Sequence, residues 1–237
     1  MKNISKIAAI LMIAGIATAC SSGGGETTRT AEAVEKTAAE YDVKYQLNLD
    51  ESMLAWEGYK PTGQHHGTVS ITDGKLKMKD GILVGGKFTF EMNSITVLDL
   101  TDPDMNGKLT GHLKSADFFE VEAYPEATFE ITGIEAIDGT MINKDLERGD
   151  IVPTHAITGN LTMKDITKSI TFNAKVDMMD DMLMAESNMF FLDRTEWNVM
   201  FKSQKLGAKF KDDFINDEMG IQLRIMAAPK PEETASL

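Results

Sequence analysis

Three groups of residues in this chain have types and spacing that could do chemistry. The first is Asp102-x-Asp104-x-Asn106-Gly107, which matches the opening of a calcium-binding loop. That motif needs a bidentate glutamate six residues after its glycine, and Leu113 stands there. The stretch is therefore expected to be a polar surface turn containing Pro103. The second group is the four histidines, His65, His66, His112 and His155. Three of them, from separate loops, could meet around zinc, but their spacing gives no support to that geometry. Isolated histidines in β-proteins are ordinarily hydrogen-bonded structural residues, so no metal is expected. The third group is Asp193-Arg194-Thr195-Glu196-Trp197. Here Arg194 is expected to pair with a carboxylate near a strand end, with Trp197 packing in the core or at a rim.

The single cysteine, Cys20, has a different context. It follows Lys2 and Lys6, an apolar run over Ile7–Ile16, and the small residues Ala17-Thr18-Ala19. A small-residue cleavage site directly before a cysteine has the form of a bacterial lipobox, so Cys20 reads as a lipid attachment point and not as a nucleophile. With no second cysteine there is neither an intrachain disulfide nor a cysteine metal site. Nucleophile elbows, metalloprotease helices, dinucleotide fingerprints and phosphate-binding loops are all missing from the sequence. No activated nucleophile is visible, no cofactor is implied, and the expectation is a protein that is not an enzyme.

Residues 1–19 read as a lipoprotein signal peptide and 20–40 as a flexible, Gly-rich tether with room for a short helix over Ala31–Glu40. Residues 41–228 form the expected domain, and 229–237 a polar tail. Loss of the leader removes Lys2 and Lys6 and takes the formal net charge from −13 to −15. Such an acidic surface repels phosphate backbones, which argues against nucleic acid as a partner.

The elements that must position these residues announce themselves by a period of two. Val43, Tyr45, Leu47 and Leu49 alternate with polar residues, as do Leu76 and Met78, then Phe88, Phe90 and Met92, with Ile95 and Val97 carrying the pattern on. The same holds from Ile170 to Met178 and from Met219 to Ile225. Weaker runs cover 54–59, 68–71, 129–137, 157–163 and 184–192. Asp73-Gly74, Asp80-Gly81, Gly85-Gly86, Asp138-Gly139 and Met179–Met182 read as turns between them. This predicts about eight to ten strands, each with one apolar and one polar face. Such strands must close or stack to bury the apolar face, giving a barrel or a sandwich. The length of the strands and the lack of a long covering helix favour the barrel.

Two stretches stand apart. Lys108–Phe129 breaks the alternation with Gly111–Phe119 and a later Tyr124-Pro125, and predicts a short helix or packed crossover near 112–119 that covers one end. Met178, Met179, Met182, Met184, Met189 and Met200 cluster late in the chain, which suits either a deformable cavity wall or gap filling in a packed core.

Several of these stretches together resemble a known family. Trp56-x-Gly58-x-Lys60-x-x-Gly63-x-His65-x-Gly67 comes first, then Gly85-Gly86-Lys87-Phe88 and Asn93-Ser94-Ile95. Leu109-x-Gly111-His112-Leu113-Lys114-Ser115-x-Asp117-Phe118-Phe119 and Tyr124-Pro125-x-Ala127-Thr128-Phe129 follow. Ile157-Thr158-Gly159-Asn160-Leu161-Thr162-Met163-Lys164, Thr167-Lys168, Asp193-Arg194-Thr195 and Asp217-Glu218 complete the set. In order and spacing they resemble the YceI-like lipid/polyisoprenoid-binding family over roughly residues 41–227. Asp165 and Asn198 stand where that family commonly has glycine, and both residue types tolerate left-handed backbone. Residues 140–153 read as a loop of extra length.

The resemblance implies an all-β fold, an eight-stranded antiparallel lipocalin-like β-barrel. It also implies non-enzymatic binding of an isoprenoid or other lipid ligand, and a periplasm-facing or secreted location. With Cys20 it gives a barrel anchored to a bacterial membrane, and Ser21-Ser22 after the cysteine favour the outer membrane. A homodimer is compatible with the sequence. If the alternation is as drawn, Trp56, Phe88, Phe90, Phe118, Phe129, Phe172, Phe191 and Leu223 are the expected ligand-binding wall. The competing reading is a structural or interaction barrel of the cell envelope with a filled core and no lipid ligand.

Overall fold

The computed structural model describes residues 26–35, 39–138, 149–206 and 214–230. The strands are β1 (Glu26–Thr27), β2 (Thr30–Glu32), β3 (Val43–Leu47), β4 (Met53–Lys60), β5 (Gly63–Lys79), β6 (Ile82–Val97), β7 (Glu126–Ala136), β8 (His155–Met163), β9 (Ile166–Met179), β10 (Met182–Ser187), β11 (Phe190–Asp193) and β12 (Glu218–Pro229). One α-helix, α1 (Pro103–Lys114), joins β6 to β7.

These strands make a closed antiparallel barrel of eight. From β5 to β9 each strand pairs with the next in sequence. β3 and β4 act as one interrupted strand, since both pair with β5 on one side and β12 on the other. β10 and β11 form a second interrupted strand beside β12. The ring therefore closes through β12, with Ile221 opposite Trp56 and Ala227 opposite Leu47. Alternating residues of every wall fill one interior, among them Leu76, Phe90, Phe129, Phe172 and Ile225.

Tight turns sit where left-handed residues allow them. Asp80 and Gly81 take φ of 50° and 77° at the β5–β6 hairpin, and Lys164 and Asp165 take 46° and 59° at the β8–β9 hairpin. Asp165 and Asn198 thus adopt the left-handed geometry expected of positions where glycine is common. Two other expected turns are not turns. Asp73-Gly74 and Gly85-Gly86 lie inside the long strands β5 and β6. Their glycines make room for neighbours: a Cβ on Gly74 would come within 2.5 Å of Leu47, and one on Gly86 within 2.6 Å of Leu76. Glycine within a strand here marks close packing, which sequence pattern reads equally well as a turn.

The crossover helix starts earlier than 112–119. Asp102 caps it by accepting from the Met105 amide, and Pro103 takes the first helical position, where no amide is needed. The calcium-like stretch is thus a helix start and not a surface turn. The Asn106 side chain donates to the carbonyls of Val97 and Leu100 and ties the helix to the end of β6.

The described part of the expected tether is held against the barrel, which corrects that reading. β1 runs parallel to β11, β2 antiparallel to the start of β9, and the Thr28 amide donates to the Phe191 carbonyl at 2.8 Å. Residues 26–32 thereby bridge the gap that opens between β9 and β11 below Ser187. Asn160 bonds both the amide and the carbonyl of Val34, and Lys168 pairs with Glu32. Residues 30–35 contain no helix, so the short helix over Ala31–Glu40 is absent from its described part. Pro229 belongs to β12 instead of the tail. The leader, Cys20, and most of 140–153 lie outside the described residues.

This strap makes a measurable claim. The Thr28 amide should exchange with deuterium on the order of a hundredfold or more slower than an unstructured peptide. Asn160→Ala should speed exchange across 28–34 while leaving β5 and β6 protected. Exchange of Thr28 at the unprotected rate in the parent protein would contradict the pairing.

Candidate functional site

The barrel interior is hollow at the end covered by α1. There a cavity offers about 180 Å³ to the centre of a water-sized sphere. Its wall takes Leu54 and Trp56 from β4, Phe90, Met92 and Ile95 from β6, and Ala127 and Phe129 from β7. β8 and β9 add Leu161, Met163, Ile170 and Phe172, and the closing strands add Phe190, Leu192, Ile221 and Leu223. The lid is formed by Leu109 and Leu113, one helical turn apart on α1, with Phe118 and Phe119 just beyond it.

The lid is anchored at several points. Lys164 in the β8–β9 turn donates to the Phe118 carbonyl at 2.9 Å and lies 3.6 Å from the Glu120 carboxylate. Phe118 packs against both His112 and Phe201, with ring centroids 5.0 and 5.3 Å away, and those two rings meet each other at 4.7 Å. His112 also meets Asp117 through Nε2 at 2.9 Å. It is part of the lid's packing and is spent there.

Arg194 builds the rim beside the lid, through Phe201, whose ring packs on His112 and Phe118. It is almost fully buried, and its guanidinium donates to the carbonyls of Val199, Asn216, Phe201 and Ile215. Asp217 stands 3.5 Å away as its carboxylate partner. Burial pushes the Arg194 pKa down, against Asp217 and Asp193, which favour the charge. Five rigid donors fit this ring of carbonyls as no lysine could. Trp197, one turn on, is fully buried and donates to the Leu161 carbonyl at 3.1 Å. The Asp193–Trp197 cluster is thus structural: Asp193 caps the short helix from Arg194, and Lys205 binds its other oxygen at 2.7 Å.

The surface of this cavity is almost wholly apolar; Glu57, Lys60, His65, Arg194, Asn216 and Glu218 stand around its mouth at the helix end. His65 Nδ1 lies 2.8 Å from Asp99 Oδ2, and the His66 amide donates to Asp99 Oδ1 at 3.0 Å. Burial raises the Asp99 pKa, but the His66 amide and the His65 ring outweigh it, and the group ends below the ordinary range. Tyr59 donates to Glu57, and burial together with that carboxylate lifts its pKa above the usual phenol range.

Of the eight residues expected in the wall, Trp56, Phe90, Phe118, Phe129, Phe172 and Leu223 line this cavity. Phe88 lines a smaller one deeper in the barrel. Phe191 lines neither. It lies on the other face of β11, 5.9 Å from the Tyr59 ring, and its neighbour Phe190 takes the inward place. Adjacent strand residues must face opposite ways, and alternation does not say which of two phenylalanines turns inward. None of the six late methionines lines a cavity; Met92, Met163 and Met219 do. Met178, Met179 and Met182 are exposed at the β9–β10 hairpin. The lid pair Leu109 and Leu113 was missed, although their i, i+4 spacing carried the signal. The four histidines do not converge, and among the described residues no group of three or more His, Cys, Asp or Glu is placed to hold a metal.

Comparison with known proteins follows this geometry. The family model for the YceI-like domain matches residues 45–227. Protein YceI of Escherichia coli O17:K52:H18 is 35% identical over 98 residues, covering 38% of this chain and 44% of that protein. A UPF0312 protein of Pseudomonas putida (strain GB-1) is 29% identical over 139 residues, covering 54% of this chain and 65% of the relative. The chain therefore spans under half the length of the first and just under two thirds of the second. Among solved structures, BcnA of Burkholderia cenocepacia superposes with a TM-score of 0.56 at 18% identity, over 77% of this chain and 99% of that one. A polyisoprenoid binding domain from Saccharophagus degradans, implicated in plant cell wall breakdown, gives 0.54 at 12% identity, over 80% and 100%. At these identities the likeness is one of fold.

The Asp99 carboxylate gives the rim an acid limit. Its folded-state pKa is lowered, so its stabilising contribution is complete above the ordinary aspartate range near about 4 and is lost as pH falls through the lowered value. Denaturation midpoints followed from neutral to acid pH should therefore fall less steeply in Asp99→Asn than in the parent. Parallel acid profiles would remove Asp99 from the rim's electrostatics.

Proposed function

Because this chain belongs to the YceI-like domain family, we propose that its barrel is a non-enzymatic binding site for one elongated apolar ligand: a polyisoprenoid, an isoprenoid quinone or a similar lipid. The observation that carries this reading is the almost wholly apolar surface of the cavity, with polar side chains standing around its mouth. An amphiphile fits that arrangement with its tail inward and its polar head among His65, Lys60 and Asn216. Burial of the tail gains about 0.8 kcal/mol per CH₂, so a few isoprene units give useful affinity without any polar contact. The fold neighbour described as a polyisoprenoid binding domain supports the same class of ligand. Catalysis finds no support in the site: Arg194 is engaged with four backbone carbonyls, His65 with Asp99 and Tyr59 with Glu57.

The anchoring half of the reading rests on sequence. Cys20, after Ala17-Thr18-Ala19, would carry lipid and hold the barrel at a bacterial membrane, facing the periplasm or the cell surface. Cys20→Ser should then move the protein from the membrane fraction to the soluble one; unchanged membrane retention would end that part.

The binding half is tested by titration of the purified barrel with prenyl alcohols, read by Trp56 and Trp197 fluorescence or calorimetry. Ala127 is buried in the cavity wall, opposite Phe90 on β6 and two residues before Phe129 on β7. Ala127→Trp fills the space and should weaken binding at least about tenfold. Leu113→Ala enlarges the space under the lid and serves as a second variant. A parent protein that binds no prenyl chain, or binding untouched by filling the cavity, would favour a structural barrel instead.

A further inference from the structure

The barrel interior is not one continuous tube. A second cavity, about 40 Å³ by the same measure, lies toward the end away from α1. Leu76, Phe88, Ile131 and Ile157 line it and do not reach the large cavity. Phe90, Phe129, Phe172 and Leu223 line both. These four come from β6, β7, β9 and β12, so the partition is built from opposing parts of the barrel wall.

The partition is packed, not loose. Phe129 lies 5.7 Å from Phe172 and 6.4 Å from Phe88, ring centroid to ring centroid. Phe172 stacks on Phe190 at 4.6 Å with the rings 6° from parallel. The edge of the Phe129 ring rests on Gly159 of β8, where a Cβ would come within 2.3 Å of it. Only glycine leaves that seat open, and the seat fixes where the ring stands.

We infer that this partition is a length stop that sets how many isoprene units the barrel takes. The inference rests on the reading of the large cavity as an isoprenoid site. A chain entering from the helix end can bury units until it meets Phe129 and Phe172. Each unit that fits tightens binding, on the order of tenfold or more. The next unit must either displace packed rings, forfeiting their contacts, or leave chain in water at the rim. Ligand choice within the prenyl class is then made by these rings and not by the polar head.

The test is a ladder of all-trans prenyl alcohols from geraniol to solanesol, titrated into the whole barrel domain with its strap. For the parent, affinity should climb with chain length to a limit and then level or fall. Phe129→Leu and Phe172→Leu open the partition from two sides, and each should move that limit up by about one unit or more. Leu83→Ala removes apolar bulk behind the partition, at a residue that lines only the small cavity, and should leave the limit where it was. Melting curves confirm that each variant is folded, and the second opening variant stands in if the first is not.

An affinity that climbs evenly to solanesol in the parent would overturn the stop while leaving the isoprenoid site intact. So would a limit unmoved in both opening variants, or one moved equally by Leu83→Ala. A parent that binds no member of the ladder would overturn the underlying site, and the stop with it.

Discussion

Closure of the sheet is the constraint on which the rest depends. The pairing of β12 with β3 and β4 joins the last strand to the first of the barrel. Before that pairing, each strand has two faces and nothing decides which is inside. After it, alternation gives every wall an inner and an outer set, and no long edge is left to pair with another chain. The interior of an eight-stranded ring can be filled by side chains or hold one ligand. Which of these occurs depends on the residues at each level. Leu76, Leu83, Phe88, Ile131 and Ile157 leave only a small space in the half away from the helix, and the half under the helix keeps the larger one.

Much of this was legible in the sequence, because closure reads out a period of two. The strands from Phe88 to Val97, Ile170 to Met178 and Met219 to Ile225 could be placed from alternation alone, and most of the aromatic wall came with them. The illegible parts have physical reasons. Phe190 and Phe191 are equally apolar, and only the register with β12 decides which one faces inward. Gly74 and Gly86 read as turns because a glycine that admits a neighbour's side chain looks, in sequence, like one that bends the chain. Residues 26–34 read as tether because their order comes from tertiary partners, Phe191, Asn160 and Lys168, and not from any local pattern. The helix start at Asp102-Pro103 was hidden by a chance likeness to a calcium loop.

The site leaves little trace in motif form for the same reason that it suits a lipid. A cavity that takes a chain by shape needs apolar walls and a polar exit, not a fixed set of reactive groups. Beside the wall, a few charged residues build the frame. Arg194 ties four carbonyls at the rim, Lys164 holds the lid to the β8–β9 turn, and Asp99 fixes His65. Their charges are largely consumed in doing so, which leaves the wall itself free of strong polar demands.

The most direct measurement of the central claim is native mass spectrometry of the protein purified from cells without lipid extraction. The account predicts one added mass per barrel that matches a prenyl compound, is released by organic solvent, and is displaced in Ala127→Trp. A barrel recovered empty, that stays empty when offered prenyl alcohols and quinones, would contradict it.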